Sequence, residues 1–224
     1  MDRQSNSKIS GIQTEIETFL FDLDGTLIDS SKDIAIAVNY ALKKLGRNPL
    51  PEEKIIKHVG YGGKKLIEGI LGTEDEELVE EGVKLFSEYY FSNPADYTVL
   101  YPYAYELLKK LKESGKKTGI VTNKYEDISR QIIKKLEIEE YIDILVGGDT
   151  TPRKKPEPEP VLFAVERLYS KPDISVMIGD SEADIKAGKS AGLKTVLVSY
   201  GFGNKEIAMK YKPDFVIESL KEIL

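Results

Sequence analysis

The chain has 224 residues, 41% of them apolar and 31% charged, with no cysteine and a formal net charge of -6. That length supplies one full core with room for a smaller second unit, and the composition excludes a disordered chain, a disulfide framework and a thiolate metal site. No apolar run approaches the roughly 18 to 20 residues of a membrane span and the charge is wrong for nonspecific nucleic-acid binding, so neither membrane nor nucleic acid is an expected partner.

Residues 1–14 are polar and aperiodic and are expected to form a mobile leader; with no signal-peptide pattern, the expected location is a reducing cytoplasm. The first strand is predicted over 18–23, a nearly continuous apolar run that ends in FDLDGT. In a strand, residues two apart share a face, so Asp22 and Asp24 are expected to project together. Gly25 suits the turn and lets a ligand approach the backbone. Adjacent carboxylates raise each other's pKa unless a cation lies between them, and a hard ion with oxygen ligands, Mg2+ above all, is the economical cation. Alone, the same residues read equally well as a strand followed by a common Asp-Gly turn.

Residues 24–116 contain no convincing strand, far more chain than a crossover needs. Ile34, Val38, Ala41, Leu42 and Leu45 keep helical spacing, Pro51 opens a second segment, 62–71 form a third, and Leu78, Gly82, Leu85, Phe86 and Tyr89 line a fourth. A helical domain inserted over 31–97 is therefore expected, between two parts of one core, 15–30 and 98–224. Further strands are predicted at 117–122, 142–146, 174–178, 195–199 and 214–217, with helices at 126–136, 161–169 and 183–190. Continuous apolar strands alternating with helices indicate an α/β fold with a doubly wound parallel sheet.

The later strand ends also carry polar groups. VTNK offers the Thr122 hydroxyl and the following amides to an anion such as phosphate, although Ser, Thr or Asn there is usually just a helix cap. Lys155 precedes Pro156 in KPEPEP, a stiff segment able to hold one lysine over a site. Asp180 falls in a strand-to-helix turn and Asp184 one helical turn later, although Glu182 or Asp184 singly suits an N-terminal cap better than a ligand. Jointly, these groups fall at the carboxyl ends of strands, where open α/β sheets bind ligands.

With FDLDGT, VTNK, KKPEPEP and IGDSEADIKAGKSAG in that order over about 18–203, the chain resembles the haloacid dehalogenase-like hydrolase superfamily. The resemblance implies a Rossmann-like sheet of order 5-4-1-2-3 with an α-helical cap, and a Mg2+-dependent phosphatase acting on a small phosphorylated substrate through an aspartyl-phosphate. It makes Asp22 the nucleophile and Asp24 the general acid/base. Thr122, Asn123 and Lys155 become the phosphate-binding groups, and Asp22, Asp180 and the Asp24 carbonyl the metal ligands. Asp184 orients the metal site or Lys155. An acid at position 24 favours phosphoryl over haloacid chemistry. GGDT at 147–150 and HVGYGGKKL at 58–66 look most like phosphoglycolate phosphatases. Other readings are a phosphatase for a nucleotide, sugar phosphate or pyrophosphate, a β-phosphoglucomutase-like mutase, or a non-enzymatic phospho-aspartate switch. Lys64 or Lys65 is a candidate for meeting a substrate carboxylate, and His58 reads as a packing residue. Tyr101-Pro-Tyr-Ala departs from the Pro-Gly usual after the cap, which bears on the hinge. Oligomeric state is not legible.

Overall fold

The computed structural model describes residues 12–224. Helix α1 (Ile12–Glu15) leads into β1 (Thr18–Phe21), which is followed by the two-residue strand β2 (Ile28–Asp29). Most of the expected leader lies outside the described residues. Within its last part, Ile12 belongs to α1 and packs, with Ile16, in the hydrophobic core, so the described end of the expected leader is folded onto the core.

The insertion consists of α2 (Ser31–Lys44), α3 (Glu52–Ile56), α4 (Gly63–Leu71) and α5 (Glu76–Ser92). Val38, Leu42, Leu66, Ile67 and Phe86 are buried in the core from the helices that the spacing marked out; in α5 the buried stripe is Val79, Gly82, Phe86 and Tyr90, with the expected Leu78, Leu85 and Tyr89 only partly buried beside it. Asp75 caps α5 by accepting from the Leu78 amide, which satisfies one of the helix's free N-terminal donors.

The chain returns through β3 (Val99–Leu100), antiparallel to β2. Beside that pair, the buried Asp33 carboxylate accepts from the Tyr97 amide, the Thr98 amide and the Thr98 hydroxyl. One side chain in the first turn of α2 thus ties together both connections between insertion and core. Two-residue strands are too short to leave a periodicity, so neither β2 nor β3 was predicted.

The core continues with α6 (Ala104–Glu113), β4 (Lys117–Val121), α7 (Glu126–Lys135), β5 (Ile144–Val146), α8 (Glu159–Arg167), β6 (Ser175–Gly179), α9 (Glu182–Ser190), β7 (Lys194–Val198), α10 (Lys205–Met209) and β8 (Phe215–Ile217). The main sheet runs β5-β4-β1-β6-β7-β8 with every pair parallel. This is the expected 5-4-1-2-3 order with the last short strand added outside β7. Phe19 and Phe21 join the layer of Leu107, Leu108, Ile128 and Ile132, whereas Leu20 joins Val161, Ala164 and Ala187. Helices α6 and α7 therefore cover one face and α8 and α9 the other, which is why the strands read as continuously apolar.

Tyr103 occupies the position where Pro-Gly was the expected pattern. Its φ of 68° puts it in the left-handed region at the start of α6, a conformation costing a residue with a Cβ roughly 1–2 kcal/mol.

Two stability measurements follow from these contacts. Asp33→Ala strands buried donors at the junction and is expected to lower the unfolding free energy by about 1–3 kcal/mol in urea titrations; an unchanged midpoint contradicts the clasp. Tyr103→Gly relieves the backbone at some entropic cost and should raise stability by up to about 1 kcal/mol, whereas a loss shows that the ring's packing outweighs the strain.

Candidate active site

The carboxyl edge of the sheet gathers the polar groups of the strand ends. Strand β1 stops at Phe21, and the Asp22 amide makes one more ladder bond, to the Ile178 carbonyl at 2.8 Å. Beyond it the chain turns through Gly25, whose φ is +81°. A Cβ at Gly25 would lie 2.3 Å from Asp180 Oδ2, so glycine is required there by both conformation and space. At the end of β6, a Cβ on Gly179 would lie 2.2 Å from Asp184 Cγ, so the absence of a side chain at 179 makes room for that carboxylate.

The structure brings Asp22, Asp180 and Asp184 together, with one carboxylate oxygen of each lying within 4.8 Å of the others. All three are buried, and so is Lys155, whose Nζ stands 2.9 Å from Asp22 Oδ1 and 2.6 Å from Asp184 Oδ1. The other Asp184 oxygen accepts from the Ser181 amide at 3.0 Å and hydroxyl at 2.6 Å. Asp180 Oδ2 accepts from the Phe202 and Gly203 amides at 2.6 and 2.8 Å. Asp184 is thus engaged at both oxygens, while Asp22 Oδ2 and Asp180 Oδ1 have no protein partner among the described residues.

Burial pushes Asp22 up to about 7, against the opposing pull of Lys155 and with added repulsion from Asp184 and Asp24. Burial, then Asp184 and Asp22, likewise hold Asp180 well above the usual carboxylate range. For Lys155, burial disfavours the charge, but Asp184 and Asp22 outweigh it and raise the pKa. One ammonium cannot neutralise three carboxylates, and the free oxygens form a hard, anionic donor set that fits a divalent cation such as Mg2+.

Asp24 behaves differently from its expected pairing with Asp22. Because the strand has already ended, alternation no longer governs it, and its two carboxylate oxygens each accept from Lys124 Nζ at 2.7 Å. The Ser30 hydroxyl also donates to it. Lys124 was not singled out from the sequence, although it stands in VTNK; a lysine after a strand end ordinarily points into solvent. Here its side chain is only 8% exposed, and Asp24 and Tyr90 raise its pKa against the effect of burial.

Thr122 and Asn123 are buried beside the same cavity. The Asn123 side chain is occupied: its amide donates to the Gly60 carbonyl at 2.8 Å and to the Lys155 carbonyl at 2.9 Å. What it leaves for an anion is its backbone N–H. Gly60 lies in the loop 58–62 of the insertion, where Tyr61 also donates to Glu182 Oε1 at 2.6 Å. Lys64 and Lys65 instead pair with Glu76 and Glu68 at the surface and do not line the cavity. His58 packs over Gly69 and is likewise absent from it. Among the described residues the buried side-chain polar atoms without a partner are Thr26 Oγ1, Tyr90 OH and Asn123 Oδ1. Thr26 belongs to the FDLDGT turn, and the other two residues line the cavity, as expected of a site built for a polar ligand.

The sequence profile described as haloacid dehalogenase-like hydrolase matches residues 19–198. The chain is 40% identical over 211 residues to a phosphoglycolate phosphatase of Aquifex aeolicus, covering 93% of this chain and 95% of that one. It is 37% identical to a phosphoglycolate phosphatase of Neisseria meningitidis, covering 93% and 92%. A solved structure described as a predicted phosphoglycolate phosphatase from Haemophilus somnus superposes with a TM-score of 0.85 at 28% identity, covering 93% and 96%. The chain belongs to the haloacid dehalogenase-like hydrolases.

The raised pKa of Asp22 gives a signed prediction. A carboxyl that titrates at about 7 when folded and near its ordinary value when unfolded keeps its proton preferentially in the folded state, so its contribution is lost as pH rises through about 7. The melting temperature of metal-free protein should therefore fall between roughly pH 4 and pH 7, and added Mg2+ should raise it far more at the upper pH. A melting temperature indifferent to both pH and cation would contradict the carboxylate cluster as a cation site.

Proposed function

We propose that this hydrolase is a Mg2+-dependent phosphatase acting on a small phosphate monoester, with 2-phosphoglycolate as the first candidate. The observation that carries the reading is the buried Asp22 carboxylate, with one oxygen on Lys155 and the other free, in a cavity it shares with Asp24. The names of the relatives support the choice of substrate.

In this reading Asp22 attacks phosphorus, the bond from phosphorus to the ester oxygen breaks, and an aspartyl-phosphate forms. Asp24 delivers a proton to the departing alkoxide, then takes one from the water that attacks phosphorus and frees Asp22. Lys155 offsets negative charge at the transferring group and is held in register by Asp184, whose occupied oxygens suit a positioning role. Thr122 and the Asn123 backbone flank the phosphate. Asp22, Asp180 and the Asp24 carbonyl would hold Mg2+, whose contribution when bound is to neutralise charge on the phosphoryl oxygens.

Residues 31–97 act as the cap in this scheme, over a core of 15–30 and 98–224. The cavity between them is lined by Asp22, Asp24, Thr122 and Lys124 of the core and by Gly60, Leu66, Phe86 and Tyr90 of the insertion. A cytoplasmic setting, without membrane or nucleic-acid partners, belongs to the same reading.

A phosphate-release screen with Mg2+ across phosphoglycolate, hexose phosphates, nucleotides and pyrophosphate tests it. Phosphoglycolate should give the highest kcat/KM, Asp22→Asn should abolish turnover, and Asp24→Asn should lower kcat by about 10²–10⁴-fold. Full activity in Asp22→Asn refutes the nucleophile, whereas preference for another ester refutes only the substrate.

A further inference from the structure

We propose that Lys124 and Tyr90 form the subsite that reads a carboxylate on the leaving group, and so set the enzyme's preference for a phosphorylated acid. The inference rests on the phosphatase reading above and identifies the residues that choose its substrate.

The cavity is lined by two chemically distinct sets of groups. Asp22 has Lys155 and the acidic cluster behind it. Lys124 and Tyr90 line the same cavity together with the apolar walls of Ile34, Leu66, Phe86 and Ile128. Ser87 and Tyr125 reach the cavity from more exposed positions. A sugar needs many donors and acceptors, and these walls supply none. A single anionic group needs only one well-supplied corner in an otherwise apolar pocket.

That corner offers an ammonium and a neighbouring hydroxyl. An ammonium carries three N–H groups, and Lys124 uses two on the oxygens of Asp24. Beyond Asp24, the group that acts on it is Tyr90, which helps to raise its pKa. The Lys124 Nζ lies 4.7 Å from the centroid of the Tyr90 ring. The Tyr90 hydroxyl is buried and lacks a well-formed hydrogen bond, a state that costs stability unless a ligand meets it. A carboxylate has two oxygens to match one N–H and one O–H.

The connectivity of the substrate places its carboxylate there. Asp24 must touch the ester oxygen to pass it a proton, and in a 2-phospho acid the carboxylate carbon is two bonds from that oxygen. A substrate whose ester oxygen meets Asp24 therefore extends its carboxylate toward Asp24's own partner, Lys124. Lys64 and Lys65, the cap lysines considered from sequence, face away and have acidic partners of their own.

The test compares kcat/KM for 2-phosphoglycolate and for ethyl phosphate, which lacks the carboxylate, in wild type, Lys124→Met and Tyr90→Phe. Wild type should favour the acid by at least about 100-fold. Lys124→Met should reduce that ratio by about 10- to 100-fold, chiefly through KM for the acid, and Tyr90→Phe by about 3- to 10-fold. Tyr90→Phe removes only an unmatched buried oxygen, so it should melt no lower than wild type and stays informative even if Lys124→Met does not fold. If wild type prefers the acid and Tyr90→Phe or a folded Lys124→Met keeps the full ratio, the subsite assignment is overturned while the phosphatase reading stands. Equal losses of kcat on both esters would mean that Lys124 acts only by positioning Asp24, and would also overturn it. A wild type without preference for the acid overturns both the substrate reading and the subsite.

Discussion

The structure is organised around an electrostatic imbalance: three buried carboxylates, Asp22, Asp180 and Asp184, lie together, and the single ammonium of Lys155 reaches only Asp22 and Asp184. Burying charge is costly unless each charge is paired and hydrogen-bonded. The fold meets that requirement for Asp184 through Lys155 and Ser181, and for one oxygen of Asp180 through two backbone amides. It leaves oxygens of Asp22 and Asp180 without partners, and the pKa values of both groups rise accordingly. A cluster so arranged is under-neutralised by its own chain, which is the condition for holding a cation and, with it, an anionic substrate.

The rest of the architecture serves that cluster. Pairing of β1 with β6 on one side and β4 on the other places three strand ends side by side, so that Asp22, Asp180 and Thr122 converge although far apart in sequence. Gly25 and Gly179 keep the space that Asp180 and Asp184 occupy. The insertion closes the open side through Asn123 to Gly60 and Tyr61 to Glu182, and Asp33 ties its two connections together. A second lysine, Lys124, pairs with Asp24. The two acids of FDLDGT are thus served by separate cations, which lets neighbouring carboxylates occupy different electrostatic environments.

Much of this was legible from sequence, because the signals were local or carried by motif order. Continuous apolar strands announced a sheet covered on both faces, helical spacing outlined all four helices of the insertion, and the acids at strand ends marked the edge where a ligand binds. The failures have physical causes. β2 and β3 are too short to produce a pattern, and Ile12 is too isolated to announce that it packs. Asp22 and Asp24 do line one cavity as alternation suggested, but their separate lysine partners were not legible. Lys64 and Lys65 were considered because they lie near cap glycines, but α4 presents them to the surface.

By itself the sequence determined the order of strands and helices, the place of the insertion and the set of acids and hydroxyls offered at the strand ends, since those depend on neighbours along the chain. Tertiary structure alone decided which lysine meets which aspartate, that Asn123 spends its side chain on the cap loop, and that the Tyr90 hydroxyl is buried without a partner. The reason is that burial and pairing are properties of space. A lysine in VTNK has the same composition whether it lies in water or under Tyr90, and only the approach of Tyr90, on α5, to Lys124 tells the two apart.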